Sequence, residues 1–442
     1  MLTTLSRWIA RTFFREVVIE GREHLPLAGP VIFTPNHPNA LLDPLLLQFL
    51  SPPFRLRFVA KEPLFRLPVF GWILRWAGAI PVVRRLDVQG EVDYTAFFAA
   101  GVDALVAGDS LVIFPEGRSL PQPYMAPLRT GAARLFFMAH DKGVDPRIVP
   151  VGLNYERGAI FRTSVLVSIA PPLDTTASVE QYRTDPPGAV RELTAAIGRS
   201  LAHHVFQAET YRDRELLLLL ERLYANDQSD DSWPQRVARL KQFEAGLARL
   251  REHCPREIER LRHRLARYER LSITFNVRAE SQGKLSGSWL TRVVLGTTGW
   301  AIAGIGWLLN WLPYRLCGSL VRLTKRDEAA AATFKIAYAL FLFPLAYVTE
   351  GWLIARWLGE ALAVVLAALI IPLSYFTLLF FEWREELGRR STAPSAWFAG
   401  NASRRVAEHL ARLQQRIVAE VDALAARPEL NIDSPDSAAT PR

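Results

Sequence analysis

The sequence predicts an α/β fold, with a mostly parallel sheet flanked by helices, followed by a helical region and C-terminal membrane helices. Three observations carry this expectation. From about Val17 to Pro172, short apolar runs alternate with longer helical stretches, the pattern left by successive strand–helix units. Between Val205 and Leu271 the composition shifts to Arg, Glu and Leu, with apolar residues every three or four positions. Between Val293 and Phe381 lie three long apolar segments. At 442 residues the chain exceeds what one hydrophobic core holds. The expected organisation is an amphipathic interfacial helix over 1–16, an α/β domain over 17–204, a coiled-coil-like helical region over 205–285, a membrane-embedded region over 286–390, and a C-terminal helix with a disordered tail over 391–442.

At the N-terminus, Leu5, Trp8, Ile9, Thr12 and Phe13 share one helical side and Arg7, Arg11 and Arg15 another, which suits a helix lying in a membrane interface or one packed on its own domain. The arginines interrupt the apolar residues, so this is not a signal peptide. Candidate strands follow at Val17–Glu20, Val31–Thr34, Arg57–Ala60, Ala79–Val83, Ser110–Phe114, Ile148–Leu153 and Val165–Ile169, with candidate helices near Asp43–Phe49, Leu64–Trp76, Tyr94–Ala107 and Gly131–Asp141. The unbroken apolar runs at 111–114 and 148–153 suit strands buried on both faces. In the helical region, Val237, Leu240, Phe243, Leu247, Leu250, Cys254, Ile258, Leu261, Leu265 and Tyr268 recur at heptad-like spacing, with a break at Pro255.

Of the apolar segments, Ile336–Trp352 and Leu358–Phe381 are expected to form a hairpin turning near Gly351–Gly359. Val293–Trp311 carries Gly296, Gly299, Gly304 and Gly306 and is followed by Pro313, so it is expected to be re-entrant or interfacial. That arrangement gives an even number of crossings. It keeps the basic clusters around Arg315–Arg326 and Arg384–Arg390 on one side, the cytoplasmic one.

Lys and Arg number 53 against 44 Asp and Glu, a net charge of +9, which suits anionic lipid, phosphorylated substrates or nucleic acid. The Arg-rich helices carry no aromatic or Gly-rich RNA signature, so no nucleic-acid partner is expected. Two cysteines, Cys254 and Cys317, provide neither a disulfide framework nor zinc spacing. A reducing compartment and no metal are expected.

The residues suited to chemistry lie just after predicted strands, where open α/β sheets place ligands. His37 and Asp43 follow the run Val31–Phe33; such an aspartate can fix the imidazole tautomer so that the other ring nitrogen takes a proton, although a structural pair is the commoner use. Glu116, Gly117 and Arg118 follow the fifth strand. Glycine allows close backbone approach and arginine offers a fork for phosphate oxygens, while Glu116 either positions the arginine or holds its own turn. Lys61, Arg84 and Arg85 also follow strands and add positive charge.

Taken in order, NHPNALLD (36–43), KEPLF (61–65), GAIPVVRR (78–85), FPEGRS (114–119), LRTGAARL (128–135) and IVPVGLNY (148–155) make residues 17–175 resemble the glycerophospholipid acyltransferase family, which contains glycerol-3-phosphate and lysophosphatidate acyltransferases. The resemblance implies that His37 is the catalytic base and Asp43 its paired acid. It implies that Arg84, or Arg85, binds the acceptor's phosphate together with Glu116, Gly117 and Arg118, with Lys61 and Arg129 as looser matches. It also implies that Val149, Pro150 and Val151 shape the acyl-donor site. Five residues separate His37 from Asp43 where the family usually has four, a variant resembling fungal-type glycerol-3-phosphate or dihydroxyacetone-phosphate acyltransferases and bacterial relatives. Neither spacing stacks the pair on one helical face, so the two must meet across a non-helical turn, which Pro38 and Asn39 supply.

The function so implied is a membrane-bound O-acyltransferase of the bacterial inner membrane, its catalytic domain on the cytoplasmic side. It would move a fatty acyl group from acyl-CoA or acyl carrier protein to glycerol-3-phosphate or a related lysophospholipid among membrane lipids, without a cofactor or acyl-enzyme. The competing expectations are another amphiphilic-alcohol acyltransferase, a thioesterase using the same base on water, and an inactive lipid-binding scaffold.

Overall fold

The computed structural model describes residues 2–51, 54–66, 68–83, 91–158, 160–225, 232–274, 289–324, 331–390 and 401–427. Seven strands, β1 (Glu16–Glu20), β2 (Val31–Pro35), β3 (Leu56–Lys61), β4 (Ile80–Val82), β5 (Ser110–Val112), β6 (Arg147–Tyr155) and β7 (Ser164–Ile169), form one sheet in the order β1-β7-β6-β2-β5-β3-β4. Each overlaps the strand expected at its position. The sheet is mixed: β6 and β7 pair antiparallel as a hairpin, and every other pairing is parallel. β5 and β6 are buried along most of their length, in keeping with their apolar runs.

The helices of this layered unit are α1 (Leu2–Phe13), α2 (Leu42–Leu47), α3 (Glu62–Phe65), α4 (Pro68–Trp76), α5 (Thr95–Val106), α6 (Gly131–His140), α7 (Thr176–Tyr182) and α8 (Pro186–His204). The predicted helix over 64–76 is two helices, because Pro63 fits the first turn of one and Pro68 opens the next. Parallel crossovers are right-handed, so the connections running towards β4 (α2, then α3 and α4) lie on one face and those returning (α5, α6) lie on the other. On the returning face Val102, Leu105, Leu135, Phe136, Leu193 and Ile197 form one buried cluster with Ile32, Leu111 and Ile148 of the sheet. α8 comes close enough to β6 that a Cβ on Gly152 would lie 2.1 Å from the His204 carbonyl oxygen.

α1 corrects the expected N-terminal amphipathic pattern. Its Ser6, Ala10 and Phe13 are buried, it packs on α2, and Arg7 donates to the Gln48 carbonyl while Arg7 and Arg11 lie over the Phe49 ring. Leu5 and Trp8 point outward, so the apolar side drawn from the sequence is divided between core and surface.

The chain divides into two compact units, the first reaching Tyr211 and taking in Trp233–Val237, so the division falls seven residues beyond the expected end of the α/β domain. The second contains α9 (Tyr211–Ala225, from Arg212 on), most of α10 (Trp233–His253), α11 (Pro255–Thr274), α12 (Trp289–Thr324), α13 (Ala331–Leu358, from Phe334 on), α14 (Glu360–Arg390) and α15 (Asn401–Ala425). The α10–α11 break falls at Pro255 as expected. Arg251 and Arg262 both pair with the buried Asp213, and α11 packs on α15. α13 and α14 each contain a segment long and apolar enough to cross a membrane, Phe334–Trp357 and Ala363–Arg384, separated at Gly359 with φ +94°. The first apolar segment, expected to be re-entrant or interfacial, lies in α12, one continuous helix through Pro313 that packs along α14, with Gly299 against Phe380 and Gly306 against Thr377. The expected disordered tail after Pro428 lies outside the described residues.

Gly152→Ala is expected to cost about 1–3 kcal/mol through overpacking against α8, whereas Gly131→Ala, whose Cβ meets nothing within 4 Å, should be neutral or stabilising. Thermal unfolding midpoints of the two variants in detergent check this, and equal midpoints would show that β6 and α8 are not in close contact.

Candidate active site

The crossover from β2 passes over β5 to β3, whereas that from β5 passes over β2 to β6, so the chain reverses its winding between the adjacent strands β2 and β5. The crevice at their carboxyl ends is where open α/β sheets bind ligands. Phe33 and Phe58 are both paired with Val112. His37 and Glu116 therefore follow four residues beyond one level of the sheet, and Lys61 three.

Past β2 the chain does not enter a helix at once. Asn36 extends the pairing with β6 through its side chain, which accepts from the Leu153 N–H at 2.7 Å and donates to the Leu153 carbonyl at 3.2 Å. A turn with Ala40 at φ +39° then leads into α2, whose first turn carries Asp43. This non-helical turn brings the pair together: His37 Nδ1 lies 2.8 Å from Asp43 Oδ2. The same oxygen accepts the Asn39 N–H at 2.8 Å, and Oδ1 accepts the Tyr155 hydroxyl. Asp43 is 0% exposed and His37 17%. The His37 ring stacks on Phe114, with centroids 3.8 Å apart. The aspartate thus fixes the Nδ1 side of the ring and leaves Nε2 for a ligand. Burial, and then the Asp43 charge, push the Tyr155 phenol well above its ordinary value, so it stays a proton donor to Asp43.

Glu116 is turned into the protein, where it holds the turns around it. One carboxylate oxygen accepts the His37 N–H at 2.7 Å and the other the Ala126 N–H at 2.9 Å. Burial raises its pKa above the usual glutamate value. Gly117, at φ +69°, reverses the chain, and Arg118 beyond it is exposed. A Cβ on Gly117 would lie 3.3 Å from the Arg129 side chain, so these two arginine positions neighbour one another. Among the described residues, Lys61, Arg118 and Arg129 are exposed and make no ion pair. Arg84 and Arg85 lie outside the described residues.

Val149, Pro150 and Val151, expected to shape the acyl-donor site, are buried inside β6, paired with Phe33, Thr34 and Pro35 of β2. Three further residues of the site carry no expectation from sequence: Asn36, Tyr155, and Ser119, whose Oγ accepts the Ala40 N–H at 2.7 Å. The only signal for them is that each stands inside one of the strings quoted above.

Tyr155→Phe leaves Oδ1 of a buried carboxylate without its donor and is expected to cost about 1–3 kcal/mol. A lowered thermal midpoint in detergent checks this; an unchanged one would mean that the hydroxyl does not support Asp43.

Residues 16–154 match the family described as Acyltransferase. A chloroplastic 1-acyl-sn-glycerol-3-phosphate acyltransferase of Arabidopsis thaliana is 30% identical over 141 residues, 32% of this chain and 36% of that one. Glycerol-3-phosphate O-acyltransferase 1 of Saccharomyces cerevisiae is 23% identical over 317 residues, covering 51% of this chain and 42% of that one. A 1-acyl-sn-glycerol-3-phosphate acyltransferase of Streptococcus pneumoniae is 30% identical over 136 residues, 30% of this chain and 46% of that one. The chain thus spans less than half the length of each of these relatives. Residues 16–154, which contain both the reversal of the sheet and the His37–Asp43 pair, are thus similar to the Acyltransferase family and to acyltransferases named for glycerol-3-phosphate and its 1-acyl derivative.

Proposed function

We propose that this protein transfers a fatty acyl group from an acyl thioester, acyl-CoA or acyl carrier protein, to a hydroxyl of glycerol-3-phosphate or a related lysophospholipid. The observation that carries the reading is the His37–Asp43 pair at 2.8 Å, placed at the reversal point of the sheet, with exposed cations in the segments that follow the neighbouring strands β5 and β3. The curated relatives are named for this chemistry, which supports it.

A glycerol hydroxyl is a weak nucleophile, and its attack on a thioester carbonyl requires proton removal as the new C–O bond forms. His37 Nε2 takes that proton, and the buried Asp43 carboxylate stabilises the resulting imidazolium through Nδ1–H. The tetrahedral oxyanion collapses by breaking the C–S bond, and the leaving thiolate recovers the proton from Nε2. The products are an ester and a free thiol, and His37 ends neutral. Arg118, with Arg129, Lys61 and the Arg84–Arg85 pair, holds the acceptor's phosphate so that the hydroxyl meets the carbonyl at attack distance. This scheme calls for no cofactor beyond the thioester. The segments of α13 and α14 cross the inner membrane as a hairpin and keep the catalytic domain at the cytoplasmic surface, where the lipid acceptor resides.

Purified protein in detergent, given an acyl thioester with and without glycerol-3-phosphate or lysophosphatidate, should release thiol only when the acceptor is present. Release without acceptor would indicate a thioesterase, and no turnover with either would indicate a lipid-binding scaffold. His37→Ala should lower turnover by about 100-fold or more, and retention of more than about a tenth of wild-type turnover would remove His37 as the base. Arg118→Ala should raise the acceptor KM with little change in the donor KM, since a phosphate contact is present in ground and transition states alike. A change confined to the donor KM would place Arg118 at the thioester.

A further inference from the structure

We propose that Tyr155 is a positioning residue of the transfer reaction, setting the proton affinity of the His37–Asp43 pair through its hydroxyl, and that the start of α10 keeps it there by clamping the end of β6 on either side of it. Tyr155 stands just beyond residues 16–154, the stretch similar to the Acyltransferase family. Trp233, which bonds to the neighbouring Asn154, lies 79 positions after it, so the arrangement draws on segments outside that stretch. Trp233–Val237 belong to the first compact unit together with the sheet, whereas the rest of α10 belongs to the second.

Successive side chains of a strand point to opposite faces, so Asn154 and Glu156 share the face that Tyr155 does not. Tyr155 lies beside Phe14, with ring centroids 5.8 Å apart, and its hydroxyl donates to Asp43 Oδ1. Asn154 is held three times: its side chain donates to the His204 carbonyl at 2.8 Å and accepts the Phe206 N–H at 2.7 Å, and its own carbonyl accepts the Trp233 indole N–H at 3.1 Å. Glu156 accepts from Arg236 at 3.1 Å and lies 3.6 Å from Arg15. Burial acts to raise the Glu156 carboxyl, but Arg236, Arg15 and Arg157 outweigh it and hold the group below the usual glutamate value, so the clamp stays charged wherever a histidine titrates. Trp233 is 4% exposed, and the Arg236 guanidinium lies over its ring at 5.1 Å. With both neighbours fixed, the tyrosine between them has little freedom to turn away from Asp43.

A hydroxyl aimed at a carboxylate stabilises its charge and draws that charge toward the oxygen that accepts. Oδ1 takes the Tyr155 hydroxyl, while Oδ2 takes His37 Nδ1 and the Asn39 N–H, so the tyrosine competes with the imidazole for one negative charge. With the hydroxyl in place, Asp43 stabilises the imidazolium less, and His37 returns its proton more readily to the leaving thiolate. Without it, the pair holds its proton to higher pH, and the base is blocked over a wider range. Among the described residues, the titratable groups facing the pair are Tyr155 from β6 and Glu116 from the loop after β5, which accepts the His37 N–H. Lys61, Arg118 and Arg129 make no ion pair with either carboxylate. The part played in acyl transfer rests on the acyltransferase reading; the effect on the proton affinity of the pair does not.

The test titrates His37 with and without turnover, in the full chain in detergent, below the unfolding midpoint of each variant. Diethyl pyrocarbonate reacts with neutral imidazole, so its rate at the peptide carrying His37, followed by mass spectrometry against pH, reads the titration with no substrate present. The exposed His253 is the internal standard. In Tyr155→Phe, the midpoint at His37 and the acid limb of kcat/KM should both move to higher pH by about half a unit to one unit, with His253 unmoved. Trp233→Phe keeps a ring but loses the indole N–H, and should give a smaller shift of the same sign. The double variant should shift no further than Tyr155→Phe alone, since α10 acts through the tyrosine. A uniformly lower rate with an unmoved midpoint would overturn the proposal and leave Tyr155 a structural residue. So would a shift to lower pH, or a double variant whose shift is the sum of the two singles. If Tyr155→Phe does not fold, Trp233→Phe carries the test, and an unmoved His37 midpoint there overturns the proposal. The expected midpoint shifts in a protein that transfers no acyl group would uphold the tuning and refute the acyltransferase reading alone.

Discussion

The first unit is organised around a carboxylate that has no access to water. Asp43 is 0% exposed, and a charge so placed is tolerated only when hydrogen-bond donors surround it. Its donors come from separate parts of the chain: the His37 ring after β2, the Asn39 backbone in the following turn, and the Tyr155 hydroxyl at the far end of β6. Satisfying the carboxylate therefore fixes a loop, a helix start and a strand end relative to one another. The imidazole orientation follows from that constraint together with the stack on Phe114.

A second buried carboxylate extends the same logic across the crevice. Glu116 leaves β5 and accepts the His37 N–H, so the backbone that carries the candidate base is held by the strand next to its own. Its other oxygen holds Ala126, and Ser119 accepts from Ala40, so the loops after β2 and β5 are cross-linked at several points. The burial that raises the Glu116 pKa is the cost of this brace. Its effect is that Gly117 and Arg118, which follow in sequence, emerge at the surface from a fixed base.

The second unit uses polar contacts differently. Asn310 of α12 donates to Ser374 of α14 at 2.8 Å and accepts from the Tyr347 hydroxyl of α13 at 2.7 Å. In an apolar helical bundle such bonds specify which helices meet, since a polar side chain without a partner is costly there. The small residues Gly299 and Gly306 let α12 lie close along α14. That contact explains why α12 stays helical through glycines and a proline that, read alone, argue for an interrupted segment.

The order of strands and helices, the break at Pro255 and the turn between the two apolar segments were legible in the sequence, because periodicity, proline and glycine act locally. The His37–Asp43 pairing was legible too, since two side chains six positions apart need only one turn to meet. Local pattern could not reveal contacts made across the sheet. Tyr155 reaches Asp43 over 112 positions, Glu116 reaches His37 over 79, and Val149 to Val151 are enclosed because β6 lies between β2 and β7. Likewise the apolar side of α1 was visible as a pattern, but which of its residues face the core and which remain outside was decided by where α2 offers a surface to pack against. The sequence by itself determined the elements and the chemistry available; the tertiary structure decided which carboxylates are buried, which cations and which tryptophans remain exposed, because burial is set by neighbours that the chain order does not name.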